Sequence, residues 1–204
     1  MKSALATAAL GRRRQEHTRA ADHLRDAFAR GGAGLLVDRL GAVLAFPAAT
    51  ATTAQLHFAT RHSAGLIHVA MPSARLDELR IPDQSVLPAE DSGLSYTVAV
   101  DAATGIGTGI SASDRARTVR VLADPRSAAH DLVRPGHILP IRCADGGFAE
   151  RDRIWELACD LVRDSGLAPV AVVCRLTNDE GDLVDGAAEA FAGAHRLPVL
   201  RVLP

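Results

Sequence analysis

The sequence predicts one α+β domain, a mixed sheet packed with helices. Three observations lead there. Short apolar runs of strand length, at 34–38 and 170–174, are interspersed with longer helical patterns. The two kinds of element do not alternate strictly, as a purely parallel sheet would require. The 204 residues contain no internal repeat and no long linker, which suits a single domain of ordinary size.

The elements follow in order. Residues 1–30 read as a helix rich in Ala, Leu and Arg, with Leu24, Ala27 and Phe28 at i, i+3 and i+4, stopped by Gly31-Gly32. The chain is expected to divide into an N-terminal helical extension, 1–24, and a domain, 25–204. Strands are expected at 34–38 and 42–46 around a turn at Gly41. Thr52 is a candidate N-cap for a helix through His62. Residues 66–70 read as a strand, 72–93 as a polar surface segment, and 95–100 as an alternating strand. After a glycine-dense stretch, a helix is expected from near Ser113, with Asp114 in its first turn, to Ala123. Pro135-Gly136 reads as a turn before a strand at 137–141. A helix over 151–165 is capped by Gly166, with Pro169 just beyond. A turn at 178–181, a helix over 187–195 and a strand at 199–203 complete the chain.

Composition removes several function classes. Twenty-three basic residues against twenty-four acidic ones give a net charge of −1, which offers no global electrostatic grip on nucleic acid. An aromatic content of 3% is too sparse for a base-stacking surface. No stretch approaches the ~20 apolar residues of a membrane helix. The apolar start precedes Arg12-Arg13-Arg14, the reverse of a signal peptide's order. Cys143, Cys159 and Cys174 are widely spaced and form no Cys-x-x-Cys pair, so reduced thiols in a cytoplasmic protein are expected, with no structural zinc.

The chemistry-bearing residues concentrate between 101 and 156. Gly105, Gly107 and Gly109 precede a helix start, and backbone N–H groups there would suit either an anion or a tight structural turn. His137, aimed by Pro135-Gly136, is an acid/base candidate whose bland counterpart is a histidine bonded to a loop carbonyl. His62 and His68 flank Gly65 with no carboxylate close by, and read as surface and core histidines rather than a metal pair. Arg153 and Glu156, at i, i+3, suit a weak surface pair. Trp155 reads as core or interface filler. Asp101, Asp114 and Glu156 are the carboxylates nearest these motifs.

Together these motifs resemble the 3,4-dihydroxy-2-butanone 4-phosphate synthase family, the riboflavin-pathway lyases. Asp101-Ala with Gly107-Thr-Gly-Ile-Ser-Ala-Ser-Asp-Arg115 resembles its signature, as does Pro135-Gly-His-Ile-Leu-Pro140 followed by Gly146-Gly147 and Arg151. Leu44-Ala-Phe-Pro-Ala48, Arg61-His-Ser-Ala-Gly-Leu-Ile67, Asn178-Asp-Glu-Gly181 and Phe191-Ala-Gly-Ala-His195 extend the resemblance from about residue 25 to the end. It implies a single α+β domain, a homodimer with active sites near the subunit interface, and a small-molecule substrate. It also implies substrate contacts for Thr108, Ser111, Asp114, Arg115 and Arg151, with His137, Asp101 and Glu156 as the catalytic candidates.

The departures from the family pattern set the functional expectation. Its acidic loop is here Asp38-Arg39-Leu40-Gly41-Ala42, and its Gly-His-Thr-Glu motif is Arg153-Ile154-Trp155-Glu156. A Cys-Glu pair has become Cys174-Arg175, and a cysteine has become His68. In the family, a glutamate of that loop and the motif histidine bind magnesium. Leu40 and Ile154 offer no oxygen or nitrogen ligand, and Arg175 adds positive charge. The expectation is therefore a synthase fold with no metal and no cofactor. It would be repurposed for isomerisation, elimination or cyclisation of a less polar molecule in specialised biosynthesis, with Trp155, Arg175 and His68 lining the altered pocket. The alternatives are a non-catalytic binding partner and a retained synthase that converts ribulose 5-phosphate to dihydroxybutanone phosphate and formate.

Overall fold

The computed structural model describes residues 2–87, 89, 95–183 and 185–202, with side chains from residue 15 onward except Asp185. Helix α1 (Lys2–Ala29) leads into the antiparallel pair β1 (Gly34–Asp38) and β2 (Gly41–Pro47). Helix α2 (Thr53–His62) follows, then β3 (His68–Pro72) and α3 (Ser73–Glu78). Next come β4 (Val100–Ala102), α4 (Ala112–Ala123), β5 (Leu132–Cys143), α5 (Ile154–Asp164) and β6 (Ala171–Arg175). The chain closes with the small hairpin β7 (Thr177–Asn178) and β8 (Gly181–Asp182), helix α6 (Asp185–His195) and strand β9 (Val199–Arg201).

Seven strands form one mixed sheet in the order β4-β5-β3-β6-β2-β1-β9. Pairs β3–β5 and β1–β9 are parallel, and the other four are antiparallel. Alternation along the strands sends side chains to two faces. Leu35, Val37, Leu44, Phe46, Val69, Met71 and Val172 meet residues of α2, α3, α4 and α6 in the larger core. Leu36, Val43, Ala45, Ala70, Ile141 and Val173 meet α1 and α5. The expected α+β class, a mixed sheet packed with helices, is what the chain adopts.

Several local expectations hold for the reasons given. Thr52 caps α2 through a reciprocal box with Gln55. Helix α5 buries Ile154, Trp155, Ala158, Cys159, Leu161 and Val162 along one side.

Others are corrected. Within 72–93, taken as surface, α3 and the turn after it bury Leu76, Leu79 and Ile81; residues 88 and 90–94 lie outside the described residues. The strand expected at 95–100 shrinks to β4, while Tyr96 and Thr97 pair with other segments only as isolated bridges rather than as part of a strand. Pro135-Gly136 is no turn. It lies inside β5, where the register against β4 jumps from Val100–Ile138 to Asp101–Val133, so residues 134–137 form a bulge. A side chain at Gly136 would overlap the Val100 backbone. The helix expected from 151 begins at Ile154, with Arg153 as its N-cap, so Arg151 and Arg153 precede its first turn. The expected strand at 199–203 ends at Arg201, and residue 203 lies outside the described residues.

Candidate active site

The bulge of β5 carries His137 to the buried Asp101 of β4. His137 Nδ1 lies 2.7 Å from Asp101 Oδ2, and the His137 backbone N–H donates to Asp101 Oδ1 at 3.0 Å. Two bonds from one carboxylate fix both the backbone and the ring. Asp101 is 4% exposed, whereas the His137 side chain is 39% exposed. Its Nε2 has no hydrogen-bond partner among the described residues. A ring held at one nitrogen and open at the other is arranged for proton transfer.

The glycine-dense loop covers this pair. Gly109 (φ +84°) lies so close that an added Cβ would come within 2.7 Å of His137 Nδ1 and closer still to Asp101 Oδ2. The loop is braced from α4. Asp114 Oδ2 accepts from the N–H groups of Gly107 and Gly109 at 3.2 and 3.1 Å, and Ser111 caps the helix by accepting from Asp114 N–H. Arg115 donates to the Gly65 carbonyl at 2.9 Å. Asp114 and Ser111, expected to meet substrate, thus also brace the loop, Arg115 keeps a buried Nε without a partner among the described residues, and Thr108 is exposed beside Gly109.

Glu156 does not partner His137. It is 1% exposed and accepts from Ala144 N–H at 3.3 Å, at the end of β5. Ala144 lies seven residues beyond His137, roughly 20 Å along an extended strand. Its charge partner is Arg151, 3.6 Å away and 38% exposed, rather than the Arg153 expected from i, i+3 spacing. Burial raises its carboxyl above the ordinary range, while backbone N–H groups and the nearby Arg151 and Arg153 pull the other way. One oxygen, Oε2, has no partner.

A second cluster stands on the α5 face of the sheet. Arg175 donates to Asp38 Oδ1 at 2.9 Å and Oδ2 at 3.4 Å, and its guanidinium carbon lies 5.8 Å from the Trp155 ring centre. His68 stacks on Tyr96 with ring centres 5.6 Å apart and lies 6.3 Å from Trp155. His68 is 8% exposed with neither ring nitrogen bonded, and burial lowers its pKa to about 4, so it is neutral. Tyr96, which the sequence reading did not single out, completes the cluster; its signal is weak because it is carried by a segment without regular structure. His62 lies elsewhere, packed against Phe58, Phe191 and His195. A surface hollow of about 570 Å³ between α4 and residues 166–168 contains neither cluster.

The chain is an α+β domain with a histidine held by a buried aspartate under a glycine loop, an arrangement that can do acid/base work. The comparisons with known proteins are specific. The family model for 3,4-dihydroxy-2-butanone 4-phosphate synthase matches residues 12–203. The riboflavin biosynthesis protein RibBA of Rhodococcus jostii is 41% identical over 162 residues, 78% of this chain and 39% of that protein. The RibBA protein of Salinispora arenicola is 40% identical over 160 residues, 78% of this chain and 38% of that protein. The chain thus spans about two fifths of the length of these curated relatives. A solved 3,4-dihydroxy-2-butanone 4-phosphate synthase in complex with two magnesium ions superposes with a TM-score of 0.84 at 33% identity, covering 89% of this chain and 92% of that one. RibBX from A. baumannii, a two-domain synthase, gives 0.83 at 27% identity over 89% of this chain and 55% of that one. The chain belongs to the 3,4-dihydroxy-2-butanone 4-phosphate synthase family.

Proposed function

We propose that the chain performs acid/base chemistry on a phosphorylated ketose of the ribulose 5-phosphate class. The Asp101–His137 pair carries this reading, in a chain matched to the synthase family from residue 12 to 203. Asp101 keeps the ring proton on Nδ1, so Nε2 is the base. It takes a proton from the carbon beside the ketose carbonyl. The C–H electron pair passes to the carbonyl oxygen, leaving an enediolate and an imidazolium that Asp101 balances.

The relatives are named for riboflavin biosynthesis, and this favours the retained synthase reaction over chemistry reassigned to a less polar molecule. One observation keeps reassignment as a second reading. Magnesium needs near-octahedral oxygen ligands, and a solved relative is described with two such ions. Here Asp38 is occupied by Arg175 and by the Leu40 N–H, while Leu40 and Ile154 provide no ligand atom. This donor set does not fit a divalent cation.

The test is purified protein with ribulose 5-phosphate in deuterium oxide, with and without Mg²⁺. Formate release at about 1 per second or more establishes the synthase reaction. Deuterium wash-in beside the carbonyl without formate shows proton abstraction from this ketose without the synthase reaction. Neither signal, or full activity in His137→Gln, removes the acid/base reading and favours a non-catalytic role. A homodimer acting in the cytoplasm completes the proposal. No described helix is long and apolar enough to cross a membrane, and light scattering checks the dimer.

A further inference from the structure

The composition of the cluster on the α5 face is specific. Arg175, at the end of β6, is 21% exposed and Asp38 is 20% exposed. Asp38 Oδ1 receives both Arg175 and the Leu40 N–H, so this carboxylate is already engaged. A guanidinium has five N–H donors; Asp38 takes two of them, leaving three for another oxygen. Trp155 lies against the guanidinium, and Tyr96 is near enough to feel its charge. His68, more than nine-tenths buried beneath Tyr96, keeps two ring nitrogens with no partner among the described residues. A buried polar group without a partner is costly, so this one marks a place for a ligand atom. The cluster thus presents one fixed cation, a phenol and a neutral imidazole, with no free anionic oxygen among its described residues.

We propose that Arg175 is the resident cation of this pocket and binds the anionic oxygens of a small hydroxyketone phosphate, or of its enediolate, without a divalent ion. The choice of ligand rests on the reading given under Proposed function. The guanidinium fork suits two neighbouring oxygens, and its anchoring by Asp38 and Trp155 fixes its direction before any ligand arrives. A dication entering beside it meets like charge and a carboxylate already neutralised.

Two measurements decide this. Mn²⁺ alone, followed by electron paramagnetic resonance, is expected to stay free in the presence of the wild-type chain. Micromolar uptake that disappears in Asp38→Asn overturns the proposal. Calorimetry with ribulose 5-phosphate is expected to give the same affinity in EDTA as in Mg²⁺, and about tenfold or more weaker binding in Arg175→Gln. Affinity that collapses in EDTA, or is untouched by Arg175→Gln, also overturns it. Arg175→Lys retains the charge without the fork and is expected to fall between, which keeps the test open if the glutamine variant does not fold. Absence of ribulose 5-phosphate binding under every condition defeats the proposed function, while the Mn²⁺ measurement still judges Arg175.

Discussion

Asp101 and His68 show two opposite uses of a buried polar side chain. Asp101 is buried with both oxygens bonded to His137. Asp101→Asn preserves the shape but removes the charge that fixes the ring tautomer and balances the imidazolium. Turnover of ribulose 5-phosphate is expected to fall about 10²-fold or more, with KM little changed, in a steady-state comparison with the wild type. His68 is buried with neither nitrogen bonded, and its pKa drops from 6.5 to about 4. Its unfolded form therefore binds a proton at a higher pH than its folded form. The stability it allows is fully present above pH 6.5 and is lost as the pH falls toward 4. The loss is of order 3 kcal/mol. Chemical denaturation of the wild type and His68→Leu across pH 4–7 checks this. The variant should lose the part of the acid sensitivity that lies in this window, and an unchanged slope would remove His68 from the account.

Among the elements, the glycine loop and the β5 bulge matter most, because together they bring residues 101 and 137 into contact. Gly109→Ala places a methyl where the Asp101–His137 bond runs, at a φ that L residues rarely adopt. Ribulose 5-phosphate turnover is expected to fall about 10²-fold, since a displacement near 1 Å is enough for that, while the far-ultraviolet circular dichroism stays that of the wild type. The same elements show where the sequence was legible. Local chemistry read well: Thr52 with Gln55, the amphipathic face of α5 and the turn at 178–181 each have their cause within a few residues. The α4 start read nearly right, with Ser111 rather than Ser113 at the cap. The β5 bulge was hidden because Pro-Gly signals a turn, whereas here it lets the strand pass close to Val100. Leu76, Leu79 and Ile81 were masked by their polar neighbours. His137 and Asp101 were named as candidates, but their contact depends on β4 pairing with β5, as the Arg175–Asp38 pair depends on β6 lying beside β2, beyond which comes β1. The pairing of Glu156 with Arg151 rather than Arg153 was hidden because spacing on a helix says nothing of the loop packed against it.

Across the whole molecule, the sheet is covered unequally. The α1–α5 layer is the thinner cover, and it lies over the face that holds Arg175 and Trp155. Helix α1 runs unbroken through the 24/25 division expected from the sequence, and Leu24 and Phe28 are fully buried against α5 and the sheet. From residue 15 to 19, by contrast, only His17 is even half-buried. Among the residues of α1 whose side chains are described, the stabilising part is therefore its last turns. Burial of one Leu or Phe at such positions is worth about 2–5 kcal/mol against a truncated side chain, and each 1 kcal/mol moves the melting midpoint of a chain this size by about 2–4 °C. Deleting residues 1–19 is expected to leave the thermal midpoint within a few degrees of the wild type. Extending the deletion through Phe28 removes both anchors and should lower it by ~10 °C or more. It should also loosen α5, and with it Trp155 and Glu156, so weaker ribulose 5-phosphate binding should accompany the shift. Differential scanning calorimetry of both truncations decides the point, and an equal midpoint for the two would mean that Leu24 and Phe28 do not hold this layer in place.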